Sequence, residues 1–155
     1  MPQQRRRARE IALQIIYELD LRPDLTADDA LEMFPFDSES TEAANYARYL
    51  VSASEAHADE IDDLLRDQIV GWRTERMVAV DRAAIRIALC EGVIEKKVPV
   101  AVAISESVEL TKMFGTDESS RFVNGVLGRI VRSRTTQDDA PAGESNNDAD
   151  EIQTQ

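Results

Sequence analysis

The sequence has few of the residues that build disulfides and metal centres, since its 155 residues include one cysteine and one histidine. A single cysteine, Cys90, excludes an intramolecular disulfide and any cysteine-cluster metal site. Its apolar neighbours in the sequence predict a buried, inert thiol. His57 has acidic residues on both sides and no second histidine with which to bind a metal, so we expect it at the surface. We therefore expect neither a metal site nor a cofactor.

Long apolar runs are also missing, and none approaches the roughly 18 residues that a membrane-spanning helix requires. The N-terminus is charged rather than apolar, which predicts a cytoplasmic chain without a signal peptide or a membrane partner. The sequence also lacks a glycine-rich phosphate loop, Cys/His metal spacing and a nucleophile paired with a histidine. These absences predict that the protein is not an enzyme and has no catalytic residues.

Glycine and proline are scarce, with six and five residues, and no segment alternates strictly between apolar and polar residues. Apolar residues recur at helical spacing instead, which predicts an all-α fold of about seven helices in two small bundles. The predicted helices cover residues 4–20, 26–34, a segment that begins at 40 or 41, residues 56–69, 80–94 and 100–114, and a segment that begins at 116, 117 or 118 and ends at 131. Gly115 is predicted to be a left-handed cap of the sixth helix, and Gly125 is predicted to let helices approach closely. We place an N-terminal subdomain at residues 1–76 and a C-terminal subdomain at residues 77–134.

The net charge is −12, yet four arginines lie within the first ten residues, namely Arg5, Arg6, Arg7 and Arg9. Nucleic acid repels an acidic protein as a whole, so binding has to be concentrated in a local patch. Cations at a helix N-terminus are unfavourable by roughly a few tenths of a kcal/mol, so something other than helix stability should favour them. The pattern alone has two interpretations, a solvated helix end or a basic patch that binds nucleic acid.

The last part of the chain, residues 135–155, has six acidic residues and no lysine or arginine. It contains one large apolar residue, Ile152, so it cannot bury enough surface to offset its ordering entropy. We predict a disordered acidic tail that improves solubility and that could compete with RNA for the arginines.

Residues 114–128, with the sequence FGTDESSRFVNGVLG, resemble the bacterial NusB family of transcription antitermination factors. Two further segments match in order: RRRARE at residues 5–10, followed by Tyr17, and VDRAAIRIAL at residues 80–89, with Glu91 just beyond. The resemblance covers residues 5–131, whereas residues 25–45 match nothing diagnostic.

The resemblance implies two helical subdomains that bind single-stranded boxA RNA together with NusE, a small-subunit ribosomal protein. It also implies that this complex joins the RNA polymerase elongation complex, notably on ribosomal RNA operons. By position, the four arginines correspond to the basic RNA-binding motif of the family, and Asp81 lies near the surface presented to NusE. Further residues fall at RNA-facing or site-supporting positions, and these are Tyr17, Phe114, Glu118, Arg121 and Phe122.

Several alternatives stay open at this stage. Phe122 lies in an apolar run and Phe114 precedes a capping glycine, so either side chain could be structural instead of binding bases. The chain could also be a protein-binding helical adaptor without essential RNA contact, or an accessory domain of an RNA-modifying enzyme. A homodimer is a further alternative. A composite RNA site requires the first helix to pack beside the junction of the sixth and seventh helices.

Overall fold

The computed structural model describes residues 2–69 and 77–139. These ranges contain seven α-helices and no strand, which confirms the predicted all-α class. The helices are α1 (Pro2–Leu21), α2 (Ala27–Met33), α3 (Thr41–Ala56), α4 (Ala58–Gln68), α5 (Ala79–Ala88), α6 (Val100–Phe114) and α7 (Asp117–Asp139). None of the helices in these ranges has the length and apolar character that crossing a membrane requires.

Hydroxyl side chains begin three of the helices, at or next to the residues that the sequence indicated. The side-chain oxygens of Thr26, Ser40 and Thr116 each accept a hydrogen bond of 3.1 Å from a backbone N–H in the first turn of α2, α3 and α7. Each bond satisfies an N–H group that the helix itself leaves unpaired, which fixes the point where the helix begins.

The predicted helix at residues 80–94 is instead α5 followed by a π-helical segment, Leu89–Ile94. The wider turn ends with the N–H of Glu95 donating to the carbonyl of Cys90 at 2.8 Å. α6 crosses this segment closely, because a Cβ atom added to Gly92 would lie 2.6 Å from the Cβ of Ala103. The absence of a side chain at residue 92 is therefore what permits this crossing.

Two apolar cores lie on either side of α5. The first joins α1, α2 and α3 to Ala83, Ala84 and Ile87 of α5. The second joins α5 and its π-helical extension to α4, α6 and α7, and it contains Cys90, which is buried as predicted. Burial raises the pKa of the Cys90 thiol to about 11, so the thiol stays protonated at neutral pH.

The position of α4 bears on the subdomain boundary that the sequence suggests after residue 76. Ile61 and Leu65 of α4 are fully buried in the second core, although α4 precedes that boundary in the chain. Residues 70–76, where we placed the boundary, lie outside the described residues, so the boundary stays a prediction.

Three details of the C-terminal half differ from the sequence predictions. Gly115 is not a left-handed cap, because its backbone is extended at φ −120° and ψ −151°. The chain passes directly from α6 to the Thr116 cap, and a Cβ at Gly115 would lie 2.9 Å from the Oγ of Ser119. Gly125, expected to allow close helix approach, has no atom within 4 Å of the Cβ position. α7 continues to Asp139, so the first five residues of the predicted tail are helical, and residues 140–155 lie outside the described part.

Candidate nucleic-acid interface

Arg9 lies at the centre of a buried ion pair. Its Nε donates to Glu91 Oε1 at 2.9 Å and its Nη2 to Glu91 Oε2 at 2.7 Å, while the Tyr46 hydroxyl donates to the same carboxylate. Arg9 is 5% exposed and Glu91 is 1% exposed. Burial and the Glu91 carboxylate raise the pKa of Tyr46, which keeps its hydroxyl protonated as a donor. Arg9 therefore anchors the start of α1 and does not present its charge to solvent.

Arg6 is held by α6 but stays accessible. Its Nε and Nη2 donate to the two carboxylate oxygens of Glu106 at 3.1 and 2.8 Å. The Arg6 side chain is 52% exposed. The hydrogen bond from Arg6 and its charge lower the pKa of Glu106, so this pair stays ionised well below neutral pH.

Arg7 and Arg5 lie in two other environments. Arg7 donates to both oxygens of Glu39, at 3.0 and 2.7 Å, and to Glu10 at 3.2 Å. The Arg5 guanidinium lies over the ring of Tyr46, with 4.0 Å between Cζ and the ring centroid. The four arginines thus differ in how much of their charge a carboxylate neutralises.

Two predicted aromatic residues, far apart in sequence, meet at the surface. Tyr17 of α1 and Phe114 of α6 line one groove together with Leu13, Gln14 and Val80. Tyr17 is 38% exposed and Phe114 is 36% exposed. The structure therefore places α1 beside the end of α6, as a composite site requires.

Phe122 is also at the surface, with 43% of its area exposed, whereas Val123 and Leu127 in the same run are buried. The alternative in which Phe122 is a core residue is therefore wrong. Glu118 lies one helical turn before Phe122 on α7 and is exposed. Arg121 is exposed too, but it lines a different groove, between α6 and α7, together with Lys112.

Asp81, which the resemblance places near the surface presented to NusE, is itself buried. It lies in the first turn of α5, where a negative charge is favoured by the helix dipole, and it is 5% exposed. Within the described ranges, its Oδ1 atom is buried without a hydrogen-bond partner. An ionised oxygen in that state is costly unless another group donates to it.

The pattern that defines the NusB family matches residues 6–132. The chain belongs to the NusB family. Among its relatives, the transcription antitermination protein NusB of Symbiobacterium thermophilum is 46% identical over 136 residues, 83% of this chain and 89% of that protein. The NusB protein of Clavibacter michiganensis subsp. michiganensis is 42% identical over 133 residues, 84% of this chain and 97% of that protein.

Solved NusB structures have the same fold. The crystal structure of NusB and NusE in complex with double-stranded RNA matches with a TM-score of 0.76 and 27% identity, covering 86% of this chain and 99% of that one. NusB of T. maritima matches with a TM-score of 0.74 and 31% identity, covering 83% and 90%. NusB-family proteins are transcription antitermination factors and not enzymes.

Sequence reasoning missed the residues that hold the NusB-family arginines in place, namely Glu39, Glu91, Glu106 and Tyr46. Glu91 gave one signal, because it is a single carboxylate inside the apolar run that ends the fifth predicted helix. A buried acid in such a run requires a cationic partner. The sequence did not indicate which cation pairs with Glu91, since Arg9 is 82 residues away.

Proposed function

We propose that the chain binds single-stranded boxA RNA together with NusE, and that it does so through the surface that runs from Arg6 to the Tyr17–Phe114 groove. The observation that carries the proposal is the placement of an exposed arginine and an exposed aromatic groove. Arg6 of α1 is paired with Glu106 of α6, and the same two helices both contribute residues to the groove. Membership of the NusB family supports it, as does similarity to a NusB chain that was solved with NusE and RNA.

Arg6 is the arginine best suited to a phosphate. A guanidinium has five N–H donors, and Glu106 engages two of those of Arg6. The remaining donors of this half-exposed side chain can bond a phosphate oxygen. Arg7 gives donors to two carboxylates, and Arg9 is buried, so we assign Arg7 a weaker contact and Arg9 a positioning role.

The aromatic residues suit unstacked bases. A base that stacks on an aromatic ring contributes about 1–3 kcal/mol to binding, and Tyr17, Phe114 and Phe122 all have exposed ring area. Bases inside a duplex are stacked on each other and cannot use these rings, which favours a single strand over double-stranded RNA. Glu118 and Arg121 fit the same strand through hydrogen bonds to base edges and phosphate.

Asp81 is buried at the start of α5, so in this proposal it supports the surface presented to NusE and does not contact NusE directly. In this proposal the RNA-bound pair joins the RNA polymerase elongation complex in the cytoplasm. A homodimer that covers the arginines would compete with RNA, and a mass measurement in solution detects it.

Fluorescence titration of labelled boxA RNA and a scrambled RNA, with and without NusE, tests the proposal. We expect tighter binding of boxA RNA when NusE is present, and a loss of about tenfold in affinity for Arg6→Ala, the scale of one charged hydrogen-bonding pair. Arg22→Ala is the matched control, since Arg22 lies just beyond the far end of α1 and pairs with Glu18 and Asp24. Equal affinity for boxA and scrambled RNA contradicts the proposal, and unchanged function in Arg6→Ala favours the protein-binding adaptor.

A further inference from the structure

A second cleft lies on the side of α1 that faces α3, away from the Tyr17–Phe114 groove. It is lined by Arg5, Glu42, Asn45, Tyr46, Tyr49 and Lys97. Its residues come from α1, from α3 and from the loop that follows the π-helical segment. We name it the tyrosine cleft.

The two tyrosines form a continuous aromatic surface. Their ring centroids are 5.6 Å apart, on consecutive turns of α3, and both side chains are partly exposed. Their hydroxyl groups donate to Glu91 and Glu95, which fixes the orientation of both rings. The rings are thus positioned before any ligand binds, so little ordering cost is left for binding.

A cation lies over each of the rings. Arg5 Cζ is 4.0 Å from the centroid of Tyr46, and Lys97 Nζ is 5.1 Å from the centroid of Tyr49. Neither cation forms an ion pair with a carboxylate in the part of the chain that the structure describes, unlike Arg6, Arg7 and Arg9. An aromatic ring attracts a cation without neutralising it, so both cations can bind an anion, with Lys97 also interacting with the charge of Glu95.

This combination is the chemistry of single-stranded RNA. Guanidinium and tyrosine planes stack bases, ammonium and guanidinium groups bind phosphates, and the exposed Asn45 amide can hydrogen-bond a base edge. An acidic peptide would use the cations but not the paired rings, which favours RNA over a protein segment.

We propose that the tyrosine cleft binds nucleotides that flank the boxA segment, so that the RNA contacts both sides of the first turns of α1. The inference rests on the proposed function, because it extends the strand bound at Arg6 to Arg5, the preceding residue of α1, which lines the tyrosine cleft. RNA that continues beyond boxA at one end would then bind more tightly than boxA alone.

The test uses the full chain with NusE and labelled RNA of three kinds: boxA alone, and boxA extended by uridines at the 5′ or the 3′ end. We expect one of the extensions to raise affinity by about fivefold or more, the lower range for one stacked base. Lys97→Gln should remove most of that gain and reduce the salt dependence of log affinity by about 0.7 for one lost phosphate contact. Tyr49→Leu should remove the gain as well, with thermal unfolding measured to verify that the variant is folded.

Lys96→Gln is the matched control, because it removes the same charge one residue away. Lys96 lines a different groove. If neither extension raises affinity, or if Lys97→Gln and Lys96→Gln behave alike, the inference is wrong while boxA binding through Arg6 still stands. If boxA RNA itself does not bind, the proposed function and the inference both fail. Weaker NusE binding by Lys97→Gln, with the gain from extended RNA unchanged, would show a protein contact and also overturn the inference.

Discussion

The two ends of the surface from Arg6 to the Tyr17–Phe114 groove are built in opposite ways. At the arginine end, Arg6, Arg7 and Arg9 bind carboxylates from α6, from the segment before α3 and from the π-helical segment. At the aromatic end, the rings of Tyr17 and Phe114 carry no charge and are more than one third exposed. Charged groups that leave water require partners inside the protein, whereas an exposed ring requires none. Arg9 is therefore part of the folded core while Arg6 and Arg7 stay partly exposed, and the aromatic end can change without unfolding the chain.

The largest effect is expected from Glu91→Ala, which breaks the buried pair at the arginine end. It leaves Arg9 buried without its main partner, so the free energy of unfolding should fall by about 3–5 kcal/mol, as for other broken buried pairs. Chemical denaturation monitored by circular dichroism measures this loss. The double variant Arg9→Met/Glu91→Met removes both charges and should recover most of the stability. Equal losses in the single and double variants would contradict an ion-pair origin.

Phe122, the third exposed aromatic residue of the proposed RNA site, should respond like the aromatic end, in binding and not in folding. Phe122→Ala is expected to weaken boxA RNA binding by about 1–3 kcal/mol, the contribution of one stacked base. Its effect on unfolding should be smaller, because the ring is 43% exposed. Met33→Ala is the control, since Met33 is 62% exposed and lies on α2, which carries no residue of the proposed site. A Phe122→Ala variant that unfolds readily and binds RNA normally would reverse the comparison.

Releasing Arg6 from the Glu106 carboxylate should have a moderate effect, and it should strengthen RNA binding instead of weakening it. Glu106→Gln removes the charge that competes with phosphate, so affinity for scrambled RNA should rise by about two- to fivefold, the scale of a partly exposed ion pair. Discrimination between boxA and scrambled RNA should fall at the same time. Asp63→Asn on α4, where the exposed carboxylate pairs with Arg66, is the matched control. Weaker binding by Glu106→Gln would instead assign Glu106 a positioning role.

The smallest effect on stability is expected from the exposed pair of His57 and Glu95, which lies outside both ends of the surface. This pair gives the scale of a surface interaction. The Glu95 carboxylate accepts from the Nε2 of His57 at 2.7 Å, and Glu60 lies 3.1 Å from the Nδ1 of His57. The hydrogen bond to Glu95 is the largest cause that raises the pKa of His57. Its stabilising contribution is therefore complete below the unfolded value of about 6.5 and is lost as the pH rises through the higher folded pKa.

Proton NMR of the single histidine measures this pKa directly. We expect a value above that of a free histidine, and Glu95→Gln should lower it, whereas Asp67→Asn on the exposed side of α4 should not. If Glu95→Gln leaves the pKa of His57 unchanged, Glu95 is not the group that raises this pKa.

The local sequence pattern was enough to predict the structural features that depend on residues close together in the chain. The helices follow from apolar spacing, and Thr26, Ser40 and Thr116 begin three of them through bonds that span three residues. The features that local pattern could not predict depend on distant residues. Arg9 looked like its three neighbours, and its burial depends on Glu91.

The same limit applies to the backbone. The helical spacing of residues 80–94 is compatible with one α-helix, and the π-helical turn within it is visible only in the folded chain. Gly115 fits the composition of a left-handed cap, yet contact with Ser119 and an extended link to α7 account for it.

The close crossing at Gly92 also sets a distance that RNA would have to match. A single methyl group at residue 92 would overlap Ala103 and push α6 away from α5. α6 carries both Glu106, which holds Arg6, and Phe114, which faces Tyr17 across the groove. A shift of this one helix would therefore change the spacing between the phosphate contact and the stacking contact along the strand. In the proposed complex, the register of the RNA would therefore depend on a residue that does not touch it.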